Sequence, residues 1–308
     1  MNREVTDWLL GGPAWLKYAV EHQLLDAKPD VRPVMADSAI AGIIQRLKDS
    51  QIGIPALKTG KIHYTDTGKA YWDLFFLADI GLTIADTGLE QEVAEIFSMQ
   101  APDGTFTIPP NVRRHYFCMS AILISSIARM GYRDDPRLHK YIQVILNSQG
   151  SGGGWDCFDG DSEMLGTESC PMDNLNILML LGQYEQYRNS PRFHNAIDML
   201  LEHWERRAMG YQIYGFGIGK RFKSLQYPAV KYGILRVLDV LSLFPYALEK
   251  PGFHSILDFV HQKASDGVYY VEGNDNSFYE EFDFSRQGEP SRWLTFLVGR
   301  LEKRVGQY

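Results

Sequence analysis

Four glutamines open the same short pattern along this chain. Gln51 begins Gln-Ile-Gly-Ile-Pro, Gln100 begins Gln-Ala-Pro-Asp-Gly-Thr-Phe, Gln149 begins Gln-Gly-Ser-Gly-Gly-Gly-Trp, and Gln262 begins Gln-Lys-Ala-Ser-Asp-Gly-Val-Tyr. The first three are spaced by 49 residues, and the fourth follows after 113, about two further periods. The missing signature falls near Tyr211-Gln-Ile-Tyr-Gly-Phe-Gly, where the pattern is degenerate. A unit that recurs at this length cannot bury its apolar face alone, so neighbouring units must stack.

Each signature lies between two helical patterns of different character. The preceding stretches, Ala39–Ser50, Leu89–Met99, Pro136–Ser148, Pro191–Arg207 and Gly252–Lys263, read as amphipathic helices. In Pro136–Ser148 the residues Leu138, Tyr141, Ile142 and Ile145 form a one-sided stripe at i, i+3, i+4 and i+7. The following stretches, Ala70–Ile80, Tyr116–Met130, Asp173–Tyr187, Ala229–Leu243 and Ser291–Val305, are more apolar. Ala121–Ile127 and Leu175–Leu181 are apolar nearly all round, which requires burial on several sides. Asp134 and Ser190 stand where N-caps are expected, and Gly131 and Gly182 where helices stop or pack closely. Alternating one-sided and all-round apolar helices over five or six units predict two concentric rings. The expected fold is all-α, a single α/α toroid domain over 1–308, with the Gln loops stitching adjacent units. An open solenoid would instead show polar capping repeats, and none stands out.

Composition narrows the function classes. Apolar residues at 45% and charged residues at 22% describe a globular chain. The net charge is −7, and no Lys/Arg block breaks the acidic background, so no nucleic-acid partner is expected. The N-terminal stretch lacks a basic segment followed by a continuous apolar one, so no signal peptide is expected. No apolar run approaches the roughly 18–20 residues that span a bilayer. Three cysteines, Cys118, Cys157 and Cys170, cannot all pair, which fits a reducing, cytoplasmic location.

The Gln…Asp-Gly-Thr-Phe, Gln…Gly-Gly-Gly-Trp and Gln…Asp-Gly-Val-Tyr segments resemble the repeats of squalene cyclases and protein prenyltransferase β subunits. The order of elements is similar to stand-alone bacterial squalene-cyclase-like proteins. Trp8–Trp15, Tyr71–Gly81, Gly131–Arg137 and Tyr227–Asp239 extend the resemblance along nearly the whole chain. It implies the toroid fold and an apolar, isoprenoid-like ligand. Two departures limit it. Class II terpene cyclases protonate substrate with Asp-x-Asp-Asp, and this chain has none; Asp159-Gly-Asp161-Ser-Glu163 has another pattern. Prenyltransferases hold zinc with Asp-x-Cys and a later His. Glu168-Ser-Cys170 resembles the first element, but Tyr227-Pro-Ala-Val-Lys-Tyr supplies no His.

The most unusual stretch is Trp155–Asp173. It carries six carboxylates, Asp156, Asp159, Asp161, Glu163, Glu168 and Asp173, and no Lys or Arg lies between Lys140 and Arg188. It is either a solvated acidic loop or a site for a metal ion or cationic group. Asp156, Glu168 and Asp173 are the candidate catalytic groups. Cys118, Cys157 and Cys170, with His115 or Asp173, are candidate zinc ligands, because thiolates with an imidazole or carboxylate suit Zn²⁺. The alternative is buried, inert cysteine. The aromatics Tyr71, Trp72, Tyr116, Trp155, Tyr227, Tyr232 and Trp293 would line an apolar pocket or simply pack the core. Lys231 and Arg236 would meet a pyrophosphate, snorkel to the rim or pair with Asp239. The expectation is a terpenoid-cyclase- or prenyltransferase-like enzyme, with a non-catalytic lipid- or protein-binding toroid as the alternative.

Overall fold

The computed structural model describes residues 2–63, 66–108, 117–155, 170–207, 220–228, 233–273 and 277–307. Twelve helices of eight residues or more run through them. They are α1 (Arg3–Leu10), α2 (Ala14–Gln23), α3 (Ser38–Lys48), α4 (Ala70–Ile80), α5 (Glu90–Phe97) and α6 (Phe117–Ile127), then α7 (Pro136–Asn147), α8 (Pro171–Leu181), α9 (His194–Glu205), α10 (Ile234–Leu241), α11 (Pro251–His261) and α12 (Arg292–Val305). Among the described residues there is no strand, only isolated bridges such as Gln100 with Phe106. The fold is all-α.

The even-numbered helices make the inner ring. Each packs on the next, and α12 returns to pack on α2, so the ring closes. That return contact separates a toroid from a solenoid, whose ends do not meet. Helices α4, α6 and α8 are buried at every position, as their all-round apolar sequences require. The odd-numbered helices form the outer layer: α3 lies on α4, α9 on α8, α11 on α10, and α1 on both α2 and α12. Helix α7 buries Leu138, Tyr141, Ile142, Ile145 and Leu146, the predicted stripe and its neighbour.

Local signals set most helix ends. Asn2, Asp37, Asp135 and Ser291 accept backbone N–H groups at the starts of α1, α3, α7 and α12. The α7 cap is therefore Asp135, one residue after the expected Asp134. Ser190 makes no side-chain cap bond; a 3₁₀ turn, Pro191–Phe193, leads into α9 instead. Gly131 sits at φ 107° in the π turn that ends α6, a conformation that excludes most side chains. Gly182 lies where an added Cβ would come within 2.6 Å of the Leu243 side chain, so close packing demands it.

The glutamine loops join neighbours. Gln100 Nε2 donates to Gly104 O at 3.1 Å within its loop and to Arg137 O at 2.8 Å in the next outer helix. Gln149 Nε2 repeats this with Gly153 O at 2.6 Å and Arg192 O at 3.1 Å. The loop aromatics follow: Phe106 meets Tyr141 edge-on at 5.1 Å, and Trp155 stacks on Phe193 at 6.2 Å. Gln51 and Gln262 are exposed.

Candidate functional site

All six inner helices run the same way. Gln23, at the end of α2, donates to Asp79 O and Ile80 O at the end of α4. Arg300, late in α12, reaches Asp79 and Asp239, the latter late in α10. At the other end, Trp15, Trp293 and Phe76 from α2, α12 and α4 meet with centroids 5.3–5.4 Å apart. Six parallel helices give the ring one rim of N-termini and one of C-termini.

Aromatic side chains fill much of the interior toward the N-terminal rim. Tyr227 packs edge-on against Phe76, Phe284 and Trp293, and Phe282 packs on Phe76 at 5.0 Å. The 3₁₀ turns Ser277–Tyr279 and Asp283–Ser285 bring Tyr279, Phe282 and Phe284 into this cluster. Tyr279, Phe282 and Phe284 are thus part of the core. Tyr279 also donates to Asp73 Oδ1 at 2.8 Å, and Arg46 from α3 grips the same carboxylate through Nε and a terminal nitrogen at 3.0 and 2.9 Å. Burial raises the Asp73 carboxyl pKa, and Arg46 opposes that rise.

Toward the C-terminal rim a cavity of about 30 Å³ remains on the ring interior. Four inner helices wall it. Phe75, Met179, Leu235, Val240, Leu297 and Leu301 form its apolar side. Asp79, Tyr227, Arg236, Asp239 and Arg300 form its polar side. Asp79 accepts from Tyr227 Oη at 2.8 Å, Arg129 at 2.5 Å and Arg300 at 3.2 Å. Asp239 accepts from Arg300 at 3.1 Å and Arg304 at 3.2 Å. Burial opposes ionisation of Asp239, but Arg300 and Arg304 outweigh it and hold the carboxyl at about 2. Burial and then Asp79 push the Tyr227 hydroxyl well above its ordinary range, so it stays a donor. Asp239 is thus held as the carboxylate, and Asp79 is clamped by its three hydrogen-bond donors.

The predicted residues fall into three groups. Tyr71, Trp72, Tyr227 and Trp293 are buried in the inner ring. Among them only Tyr227 lines the cavity. Trp72 stacks beneath the Arg236 guanidinium at 5.2 Å, and Tyr71 Oη has no hydrogen-bond partner among the described residues. Arg236 donates to Asn176 Oδ1, while Asp239 takes Arg300 and Arg304. Trp155 faces the outer ring: its indole donates to Ile145 O at 2.8 Å. Cys118, Cys170 and Asp173 are buried at the starts of α6 and α8. Among the described residues, no three His, Cys, Asp or Glu side chains gather to hold a metal ion. His115, Tyr116, Asp156, Cys157, Glu168, Lys231 and Tyr232 lie outside the described residues. The ends of the acidic stretch are nevertheless joined. Cys170 N donates to Trp155 O at 2.9 Å, and Asn174 Nδ2 donates to Trp155 O and Cys170 O at 3.0 and 2.7 Å.

The charged array of Asp79, Arg129, Asp239, Arg300 and Arg304, of which Asp79, Asp239 and Arg300 line the cavity, was not anticipated. Its signal in the sequence is a charged residue inside an otherwise apolar helix, Asp79 in Ala-Tyr-Trp-Asp-Leu-Phe-Phe-Leu-Ala-Asp-Ile. Such a residue is buried only when paired.

No protein-family model and no curated protein matches this chain. Among solved structures it is similar to the type II terpene cyclase MstE from Scytonema. The apo enzyme aligns with a TM-score of 0.42 at 14% identity over 98% of both chains. An arginine-to-alanine variant in complex with the substrate geranylgeranyl dihydroxybenzoate aligns at 0.41 and 14% over 100% of both. An aspartate-to-alanine variant in complex with the product merosterolic acid A aligns at 0.40 and 15% over 100% of both. At this level the likeness carries neither fold nor chemistry; the ring is established by its own helix contacts.

Proposed function

We propose that the ring interior receives an apolar, isoprenoid-like small molecule, and that the chain is a terpenoid-cyclase- or prenyltransferase-like enzyme without the Asp-x-Asp-Asp acid. What supports the reading is the chemistry of the ring interior, aliphatic and aromatic walls from four inner helices with a polar side fixed by paired charges; the space there, about 30 Å³, must widen to admit such a ligand. Ligand sites are concave and mostly apolar, with a few oriented polar groups. The acid or electrophile of this reading is Asp173, in the first turn of α8, or Asp156 or Glu168 from the sequence before it. Zinc on Cys118, Cys157 and Cys170, with His115 or Asp173, would activate a thiol, water or substrate group there.

The test uses geranylgeraniol and squalene as probes. Tryptophan fluorescence reads binding, and gas chromatography with mass spectrometry reads products. Saturable binding that is lost in Leu297→Trp, which fills the cavity, is expected, together with turnover that is lost in Asp173→Asn. If neither probe saturates, the ligand assignment is wrong.

A second reading, a non-catalytic binding toroid, also has a specific support. Both carboxylates on the cavity, Asp79 and Asp239, are already engaged by guanidiniums. Binding without turnover, unaffected by Asp173→Asn, selects this reading.

A further inference from the structure

A second recess lies at the C-terminal ends of α6 and α8. It has a volume of about 350 Å³ and is lined by Ala128, Arg129, Gly131, Arg133, Asp134, Gln183 and Arg188. It shares no lining residue with the ring cavity. Its size falls within the range of small-molecule sites, which runs from about 300 to 1,000 Å³. Space for it opens above Gly131, where an added Cβ would meet nothing within 4 Å.

The charge of this recess is unusual for the chain. Three guanidiniums line it against one carboxylate, Asp134, in a protein of net charge −7. Arg129 is partly spoken for: it bridges Asp79 and Ala78 O. Asp134 lies 3.7 Å from Arg133, but both are more than half exposed, so that pair is weak. Arg188 uses Nε to donate to Gly182 O at 2.7 Å and has no carboxylate partner among the described residues. A guanidinium carries five N–H donors, so Arg188 keeps both terminal nitrogens for another acceptor.

Arginines at helix C-termini first answer the helix carbonyls, as Arg129 and Arg188 both do here. One N–H suffices for that in Arg188. We infer that the remaining donors form a binding site for a phosphate-bearing small molecule, with Arg188 as the principal fork and Arg133 as the second. A planar guanidinium matches paired phosphate oxygens in a way that a point charge does not. The recess is too polar for the apolar ligand of the ring and too large for a single ordered water.

The experiment is calorimetric titration of the full chain with inorganic pyrophosphate at low salt. Saturable 1:1 binding is expected. Arg188→Gln weakens it about tenfold or more, the loss of a charged hydrogen-bonding partner, and Arg133→Gln weakens it less. Arg206→Gln, at the C-cap of the outer helix α9 and paired with Glu202, leaves it unchanged. Circular dichroism verifies that each exposed variant folds. The inference is overturned if wild type shows no saturation below about 1 mM, if Arg188→Gln binds like wild type, or if Arg206→Gln weakens binding as much as Arg188→Gln. Flotation with phosphatidylcholine vesicles containing phosphatidic acid separates the two sources of phosphate. Capture on those vesicles without pyrophosphate binding also overturns it, because the site would then read a lipid surface.

Discussion

The two rims of the ring differ in charge because the inner helices are parallel. Six N-termini at one rim present positive dipole ends, and six C-termini at the other present negative ends. The side chains follow. Asp73 and Asp173 stand in the first turns of α4 and α8, and the six-carboxylate stretch of the sequence leads directly into α8. Arg129, Arg188, Arg300, Lys303 and Arg304 gather at the other rim, each donating to a backbone carbonyl there. The arginine collar is thus first a device for neutralising carbonyl ends. Asp79 and Asp239 are the exceptions that tie the collar together. What function the collar supports builds on charge that the fold already needs.

The sharpest break of this comparison is Asp79→Ala against Asp73→Ala. The first strips a buried acceptor from Tyr227, Arg129 and Arg300, of which Arg300 is only 7% exposed. Arg300 keeps Asp239, which it must then share with Arg304 while Arg129 loses its carboxylate; breaking a buried ion-pair network in this way costs up to about 3–5 kcal/mol. The second releases Arg46, whose side chain is 24% exposed and rehydrates more easily. Urea unfolding should show the larger loss for Asp79→Ala. Equal losses would mean that the two rims are equally dry.

Acid should act on the rims in opposite directions. Asp239 has a folded pKa of about 2, below its unfolded value near 3.9. Its stabilisation is present above pH 4 and disappears as pH falls through 2. Asp73 has a raised folded pKa, so the native state holds its proton more tightly, and stability falls as pH rises upward from its unfolded value near 3.9. Chemical denaturation between pH 2 and 5 checks this: Asp239→Asn should flatten the acid limb. An unchanged limb would remove Asp239 as its source.

The join beneath the acidic stretch is a smaller target. Asn174 holds Trp155 and Cys170 with three buried hydrogen bonds. Asn174→Ala should lower stability by about 2 kcal/mol, from the acceptors left unsatisfied. Any activity assigned to the N-terminal rim should fall with it, while pyrophosphate binding at the C-terminal rim stays. A loss at both rims would show that the two are not independent.

Periodicity exposed the helices because burial writes itself locally. Ala70–Ile80 matches α4 at both ends, and Ser291–Val305 differs from α12 by one residue. The first unit, α1 and α2, carries no glutamine signature, yet it closes the ring. The polar array was hidden for another reason. Its partners are 50, 148 and 221 residues apart, so only three-dimensional closure brings them together. Trp155 was legible as a repeat residue, and its contacts lie on the outer ring. Its ring is fully occupied by Ile145 O and Phe193 on the outer side.

The glutamines offer the finest test, because similar letters do different work. Gln149 bonds Gly153 O and Arg192 O and accepts from Arg192 Nε at 2.5 Å, linking one unit to the next. Gln51 occupies the same place in the repeat but is exposed. Gln149→Ala should cost about 1 kcal/mol, the net worth of a partly exposed hydrogen bond or two. Gln51→Ala should change stability by no more than about 0.5 kcal/mol. Thermal unfolding of the two variants side by side reads the difference. If both are silent, aromatic packing of Phe106 and Trp155 holds the units together, and the glutamines mark the repeat without carrying it.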